Sequence, residues 1–357
     1  MTRFEIMNKL LDQSLFFKLV CGAGNEDIEE VKKLSMLYTL AGAKGMDVSA
    51  NPKVVNACVQ GIDLAISMEA QFNIKISVRP FITVSIGMPG DHHVRKAEIM
   101  LENCIKCNLC IPVCPTDAIP TNLIVIESKC IGCGNCSAVC PVNVIDYYHN
   151  EKNLLQILPE CLKAGAEQIE LHAAIKEDEY IMKEWEIVNS INPNAHVSMC
   201  LDRLHLSDFA LESRIKKAKE ISGDRLIIQA DGYPMSGGED DFNTTLQAIS
   251  TTDVINKRFN KKLNRKTGKS NYKKINHINI LMSGGTNSLS TNLAKQNDVR
   301  FQGVSIGTFA RKIIKEYIEI EDFYNNIDNI KKAYLIARQL VIDNVGDVNL
   351  VTKDFLN

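Results

Sequence analysis

Pro80-Phe-Ile-Thr-Val-Ser-Ile-Gly87 is a short apolar run, and the cysteine-rich segment after it decides the fold. That segment reads Cys104-Ile-Lys-Cys107-Asn-Leu-Cys110-Ile-Pro-Val-Cys114-Pro115, then Cys130-Ile-Gly-Cys133-Gly-Asn-Cys136-Ser-Ala-Val-Cys140-Pro141. Both cysteine runs have the spacing C-x2-C-x2-C-x3-C-P of bacterial-type ferredoxins. Three thiolates on a tight loop hold three corners of a cubane, and the fourth, before a proline, reaches the other cluster. This rule assigns Cys104, Cys107, Cys110 and Cys140 to one [4Fe-4S] cluster and Cys130, Cys133, Cys136 and Cys114 to a second. A lone C-x2-C also suits zinc or a redox pair, but two identical frames favour iron and sulfur over paired zinc sites.

On either side of the cysteines the chain alternates strand and helix. Strands are predicted at 16–22, 45–50, 80–87, 168–173, 196–201, 225–231, 277–282 and 303–307. Helices are predicted at about 26–42, 52–70, 153–164, 177–190, 207–221, 240–256 and 288–296, with a long helical stretch at the C-terminus. Eight strand-then-helix units imply parallel pairing and an α/β fold, a (β/α)8 TIM-like barrel in preference to an open doubly wound sheet. The cysteine segment is then an inserted 2x[4Fe-4S] ferredoxin-like module after the third strand. Residues 1–92 form the first part of the barrel, 93–149 the insert, and 150–357 the remaining strands and C-terminal helices. A loop after a barrel strand lies on the face where active sites form, so the clusters should cap the barrel mouth.

Two glycine-bearing loops fall where such barrels bind phosphate. Met282-Ser-Gly284-Gly285-Thr286-Asn287 comes after the seventh strand, and Ile306-Gly307-Thr308-Phe-Ala-Arg311 after the eighth. Glycine lets backbone N–H groups approach an anion closely, and Arg311 would be its cationic partner. Flavin mononucleotide or another phosphate-bearing ligand is one reading, and plain N-capped turns are the other. Polar residues near strand ends are Asp47, Ser49, Glu170, His172, Asp202, Arg203, Gln229 and Asp231, without a nucleophile–base set among them. His172 is equally read as a hydrogen-bonded core histidine. Asp231-Gly232-Tyr-Pro-Met-Ser-Gly-Gly238 is a glycine-rich loop, His92-His93 a surface loop, and the basic stretch 257–274 a solvated loop on the opposite face. Cys21, Cys58, Cys161 and Cys200 are read as small buried side chains, with a functional role left open for Cys21 and Cys200, which fall near predicted strand ends.

The chain has 357 residues and a formal net charge of -2, with 45% hydrophobic and 24% charged residues. This balance suits a globular protein and argues against nucleic-acid binding. No run reaches the roughly 18 apolar residues of a membrane span. Met1-Thr-Arg-Phe-Glu-Ile lacks the apolar core of a secretion signal, so a reducing cytoplasmic location is expected and disulfides are not.

The segments flanking the cysteines resemble the LdpA family, the light-dependent period proteins of cyanobacteria. The similarity is carried by Phe17-Lys-Leu-Val-Cys-Gly-Ala23, Tyr38-Thr-Leu-Ala-Gly-Ala43, Met46-Asp-Val-Ser-Ala50, Val94-Arg-Lys-Ala-Glu98, Leu226-Ile-Ile-Gln-Ala-Asp-Gly-Tyr-Pro-Met-Ser-Gly-Gly238 and Leu281-Met-Ser-Gly-Gly-Thr-Asn287. The resemblance implies iron-sulfur clusters that report redox state to the circadian clock through clock-input proteins, including a histidine kinase and KaiA. It transfers the eight tandem cysteines and no catalytic residue. Two functions are expected: a redox-sensing relay, or a flavin-dependent oxidoreductase whose clusters feed a barrel-bound flavin.

Overall fold

The computed structural model describes residues 1–88, 91, 94–149, 152–204, 206–233, 240–260 and 277–347. His92 and His93, the 234–238 part of the glycine-rich loop and the 261–274 part of the basic stretch lie outside these residues.

β1 (Phe16–Gly22), β2 (Gly45–Ser49) and β3 (Phe81–Gly87) come first. Two short strands, β4 (Lys96–Ile99) and β5 (Ile145–Tyr148), then bracket the cysteines. β6 (Gln168–His172), β7 (Val197–Leu201), β8 (Leu226–Asp231), β9 (Asn279–Ser283) and β10 (Gly303–Ile306) complete the strands among the described residues. The closed barrel runs β1-β10-β9-β8-β7-β6-β3-β2, with parallel pairing throughout. β3 pairs directly with β6, so the cysteine segment leaves the sheet and returns without breaking it. β4 and β5 pair with each other, antiparallel, as a separate ribbon.

Local chemistry sets the helix ends. Asp27 caps the helix Ile28–Ala41 by accepting the Glu30 N–H at 3.1 Å, and Gly42 ends it in the left-handed region at φ 104°. Asn51 caps Pro52–Ser67, whose proline sits at the first position, where no N–H is missed. Ser207 caps Asp208–Ser222. These helices and Ile327–Val345 wrap the barrel, and their apolar faces join the strands in one buried core.

An N-terminal helix, Arg3–Asp12, precedes the first strand and is not expected from the alternation. It closes the bottom of the barrel. Met7, Leu10 and Leu11 are buried, Phe4 stacks on His196 at 4.2 Å, and Asn8 Oδ1 lies 3.0 Å from His196 Nε2. Arg3 pairs with Glu167, donates to the Arg79 carbonyl and lies 3.6 Å over the Phe81 ring.

The barrel interior is polar where many such barrels are filled by branched apolar residues. Lys18 Nζ bonds Asp47 at 2.7 Å and Glu170 at 2.6 Å. Ser85 donates to Asp47, and Ser198 donates to Glu170 at 2.8 Å. Ser305 donates to Gln229 at 2.6 Å. All of these residues are buried. A buried polar group is costly unless satisfied, so such an interior points to a role above the packing of the core.

Candidate functional site

The site begins with the insert. The two cysteine runs fold against the β4–β5 ribbon around a small core of Ala97, Ile99, Ala118, Ile119 and Leu123. Cys114, Cys130, Cys133 and Cys136 line one cavity of about 330 Å³, counting its solvent-facing space. Cys104, Cys107, Cys110 and Cys140 line another of about 320 Å³, counted in the same way. The structure thus brings the eight thiols together in the two sets the spacing assigns. Backbone conformation contributes: Lys106, Asn108, Gly132 and Gly134 all take positive φ, which turns the loops tightly between the cysteines.

These cavities suit an iron-sulfur cluster. Burial pushes the Cys133 thiol up to about 11; the Asn135 N–H opposes this shift, and the neighbouring Cys136, Cys114 and Cys130 add to it. Packing four thiolates this closely needs compensating positive charge, which iron supplies. The Ala97 and Ala118 N–H groups donate to Cys130 Sγ at 3.3 Å and Cys114 Sγ at 3.2 Å. Tyr147 Oη lies 3.7 Å from Cys136 Sγ. Such contacts to the sulfurs tune the potential of a cluster.

The two sets differ in setting. Cys107 is exposed, and Ile105 and Leu109 beside it are also exposed. Cys130 and Cys136 are buried. The inner set faces the barrel, and the insert is tied down there. Lys96 Nζ donates to the Gly24 carbonyl after β1 and to the Glu127 and Cys130 carbonyls at 2.7 and 2.8 Å. The Glu26 N–H donates to the Ser128 carbonyl at 2.7 Å, and Lys315 pairs with Asp117. Arg95 donates to the Gly132 carbonyl at 3.0 Å while lying 3.9 Å over the Tyr147 ring.

Between insert and barrel mouth lies an open cleft of about 790 Å³, counting its solvent-facing entrance. Its walls are the end of β1 and the start of the loop after it (residues 20–24), Glu170 and His172 of β6, Asp231, Ser283 to Thr286, Ser305, Gly307 to Phe309 and Arg311. Its roof is Ile131 and Cys133, which also line the inner cysteine cavity. The glycine loops expected after the seventh and eighth strands therefore meet at this cleft. Gly284 and Gly285 take φ of 56° and 73°, and a side chain on Gly284 would meet the Gly232 carbonyl at 2.8 Å.

Two of the expected anion-binding groups are engaged elsewhere. The Thr286 hydroxyl donates to the Ser305 carbonyl and so ties the two loops together. Arg311 lies 2.9 Å from the Glu30 carboxylate and donates to the Cys21 carbonyl at 2.7 Å. The cleft also carries the carboxylates of Glu170, Asp231 and Asp241. Burial, reinforced by Asp47 and opposed by Lys18, pushes the Glu170 carboxyl up to about 7.

The four cysteines outside the tandem are all buried. Cys58 accepts a hydrogen bond from Ser35 at 3.2 Å. Cys200 departs from the role of a plain apolar side chain, because its thiol donates to Asp231 Oδ2 at 2.7 Å. Of the other polar residues expected near strand ends, Asp47 and Gln229 lie in the interior network, Ser49 donates to Glu26, and Asp202 accepts from the Leu204 N–H. Arg203 pairs with Asp208 away from the cleft. Lys18 is a functional candidate that the sequence alone does not single out. A lysine in the middle of an apolar strand is its only signal, and its two carboxylate partners are remote in sequence.

A parallel eight-stranded barrel with two four-cysteine cavities on its β3 loop defines an iron-sulfur barrel protein. A family model for the 4Fe-4S binding domain matches residues 97–119 and 123–146. The model of the Light dependent period A C-terminal domain matches residues 161–342, more than half of the chain, and the chain belongs to that family. It is 30% identical over 224 residues to a Synechococcus elongatus protein described as Light dependent period A. That match covers 62% of this chain and 62% of the relative, so the chain spans under two thirds of the relative's length.

Among solved structures, the YdjI aldolase of Escherichia coli K12 is 5% identical, with a TM-score of 0.44, over 98% of this chain and 97% of that one. A Campylobacter jejuni fructose-bisphosphate aldolase is 8% identical, also with a TM-score of 0.44, over 98% and 92%. No helix among the described residues is long and apolar enough to cross a membrane.

Proposed function

We propose that the chain is a redox-responsive relay built in two parts, a barrel of residues 1–92 and 150–357 and a dicluster insert of residues 93–149. Bound at the two cysteine sets, [4Fe-4S] clusters supply reversible one-electron exchange. The exposed surroundings of Cys107 suit the outer set to electron exchange with a partner, and the inner set lies against the barrel. The observation that carries this proposal is the shared wall: Ile131 and Cys133 line both the inner cysteine cavity and the barrel-mouth cleft. A change of charge at Cys133 acts directly on the cleft and on the β1 loop that Lys96 holds.

The family match and the Synechococcus relative's description, Light dependent period A, support a role in light-dependent timing. The recipients of the signal are clock-input proteins in the cytoplasm, a histidine kinase and KaiA among them. The test is partner affinity measured anaerobically with the clusters oxidised and then reduced. A severalfold difference supports the relay, and equal affinity in both states contradicts it.

A second reading, a flavin-dependent oxidoreductase, is favoured by the meeting of both glycine loops at a cleft roofed by Cys133. Against it stand the three carboxylates of the cleft and the engagement of Arg311 with Glu30. Protein that carries no flavin after anaerobic purification, and takes up no added flavin mononucleotide, excludes this reading.

A further inference from the structure

We propose that Glu170, His172 and Cys200 form a binding site for one divalent transition-metal ion of the zinc class at the barrel mouth, with Asp231 supporting the thiol. Among the described residues these three side chains present a nitrogen, a sulfur and an oxygen ligand atom, all within 4.8 Å of one another. The placement comes from the sheet. His172 of β6 lies directly beside Cys200 of β7, and Glu170, two residues before His172, points to the same face.

The carboxylate is oriented for the task. Lys18 and Ser198 both hold Glu170 Oε2, at 2.6 and 2.8 Å, which leaves Oε1 turned toward His172 Nε2 at 3.6 Å. Groups that fix a ligand from behind are a regular part of metal sites. Glu170, Cys200 and Asp231 are all at least 96% buried, and although Lys18 serves Glu170 Oε2, a Cys200 thiolate formed beside Asp231 is costly there without a further cation. One sulfur, one imidazole and carboxylate oxygens suit zinc better than the hard, all-oxygen ions. Glu170, His172 and Asp231 also line the cleft, so a position on the metal would face a ligand there.

Binding breaks the Cys200 S–H bond and forms an Sγ–metal bond. The proton passes to Asp231, which already accepts it at 2.7 Å, and then to solvent. No electron changes hands. The site shares no residue with the eight tandem cysteines, so it stands or falls separately from the relay.

The test uses the full, iron-loaded chain, equilibrated anaerobically with zinc, desalted, and measured by elemental analysis and zinc-edge X-ray absorption. The expected result is about one zinc per chain in addition to iron, with a single sulfur at ~2.3 Å and nitrogen or oxygen at ~2.0–2.2 Å. Cys200→Ser and, independently, His172→Gln should each weaken zinc binding by at least about tenfold while iron content holds. Zinc far below one per chain would overturn the proposal. So would an all-sulfur shell, which places the zinc in the cysteine tandem, or unaltered affinity in both variants.

Discussion

Cys133 lies where the chemistry of the insert meets the barrel. It faces three other thiols on one side and the barrel-mouth cleft on the other. Replacing it with alanine should remove the inner cluster and leave the outer set intact. Iron analysis of anaerobically purified Cys133→Ala should then fall from about eight to about four per chain. Retention of all the iron would refute the ligand assignment. Lys18 shows the same economy inside the barrel, where one ammonium serves two buried carboxylates. Burial lowers its affinity for a proton, but Asp47 and Glu170 outweigh that effect and raise it. Lys18→Met leaves Asp47 and Glu170 facing each other uncompensated. Denaturant titration should show a loss of about 3–5 kcal/mol. The cysteine frames are legible residue by residue because their ligands are close in sequence. The Lys18 network is not, since its partners lie 29 and 152 residues away.

Among the elements, the eight barrel strands can be read from apolar runs separated by amphipathic helices. The N-terminal helix carries a signal that alternation does not register. Thr2 and Glu5 form a reciprocal capping box just ahead of Met7, Leu10 and Leu11. This helix makes a pH-sensitive contact at the barrel bottom. Burial, with Arg225 nearby, lowers the His196 pKa to about 4 from 6.5. A histidine depressed in the folded state is more easily protonated in the unfolded chain. Its contribution to stability is therefore complete above pH 6.5 and is lost as the pH falls toward 4. The loss should reach roughly 3 kcal/mol. His196→Gln should flatten that part of the stability–pH curve relative to the parent, and parallel curves would sink the assignment. The strand β4 contributes Lys96, whose three carbonyl contacts clasp insert to barrel. In Lys96→Met, amide exchange should accelerate at residues 24–27 and 127–131 while the distal helices keep their protection. Unaltered exchange at both loops would show that the clasp does not hold the insert.

The whole molecule seats a cysteine module on a barrel along a seam at the loop after β1. That the insert caps the mouth is legible in the sequence, because a loop after a parallel barrel strand emerges there. That the inner cysteines and the glycine loops share a cleft is not, since it depends on how the insert folds back over the β1 loop. The engagement of Thr286 and Arg311 within the protein is equally hidden, because Glu30 and the Ser305 carbonyl come from other parts of the chain. In the proposed relay, the state of the inner cysteine set reaches the barrel mouth through this seam. Hydrogen–deuterium exchange on the full iron-loaded chain, with clusters oxidised and then reduced under anaerobic conditions, measures that coupling. Protection should change at residues 22–27, 283–287 and 307–311 as well as around Cys133. Changes confined to residues 104–140, with the barrel-mouth loops identical in both states, would contradict the coupling.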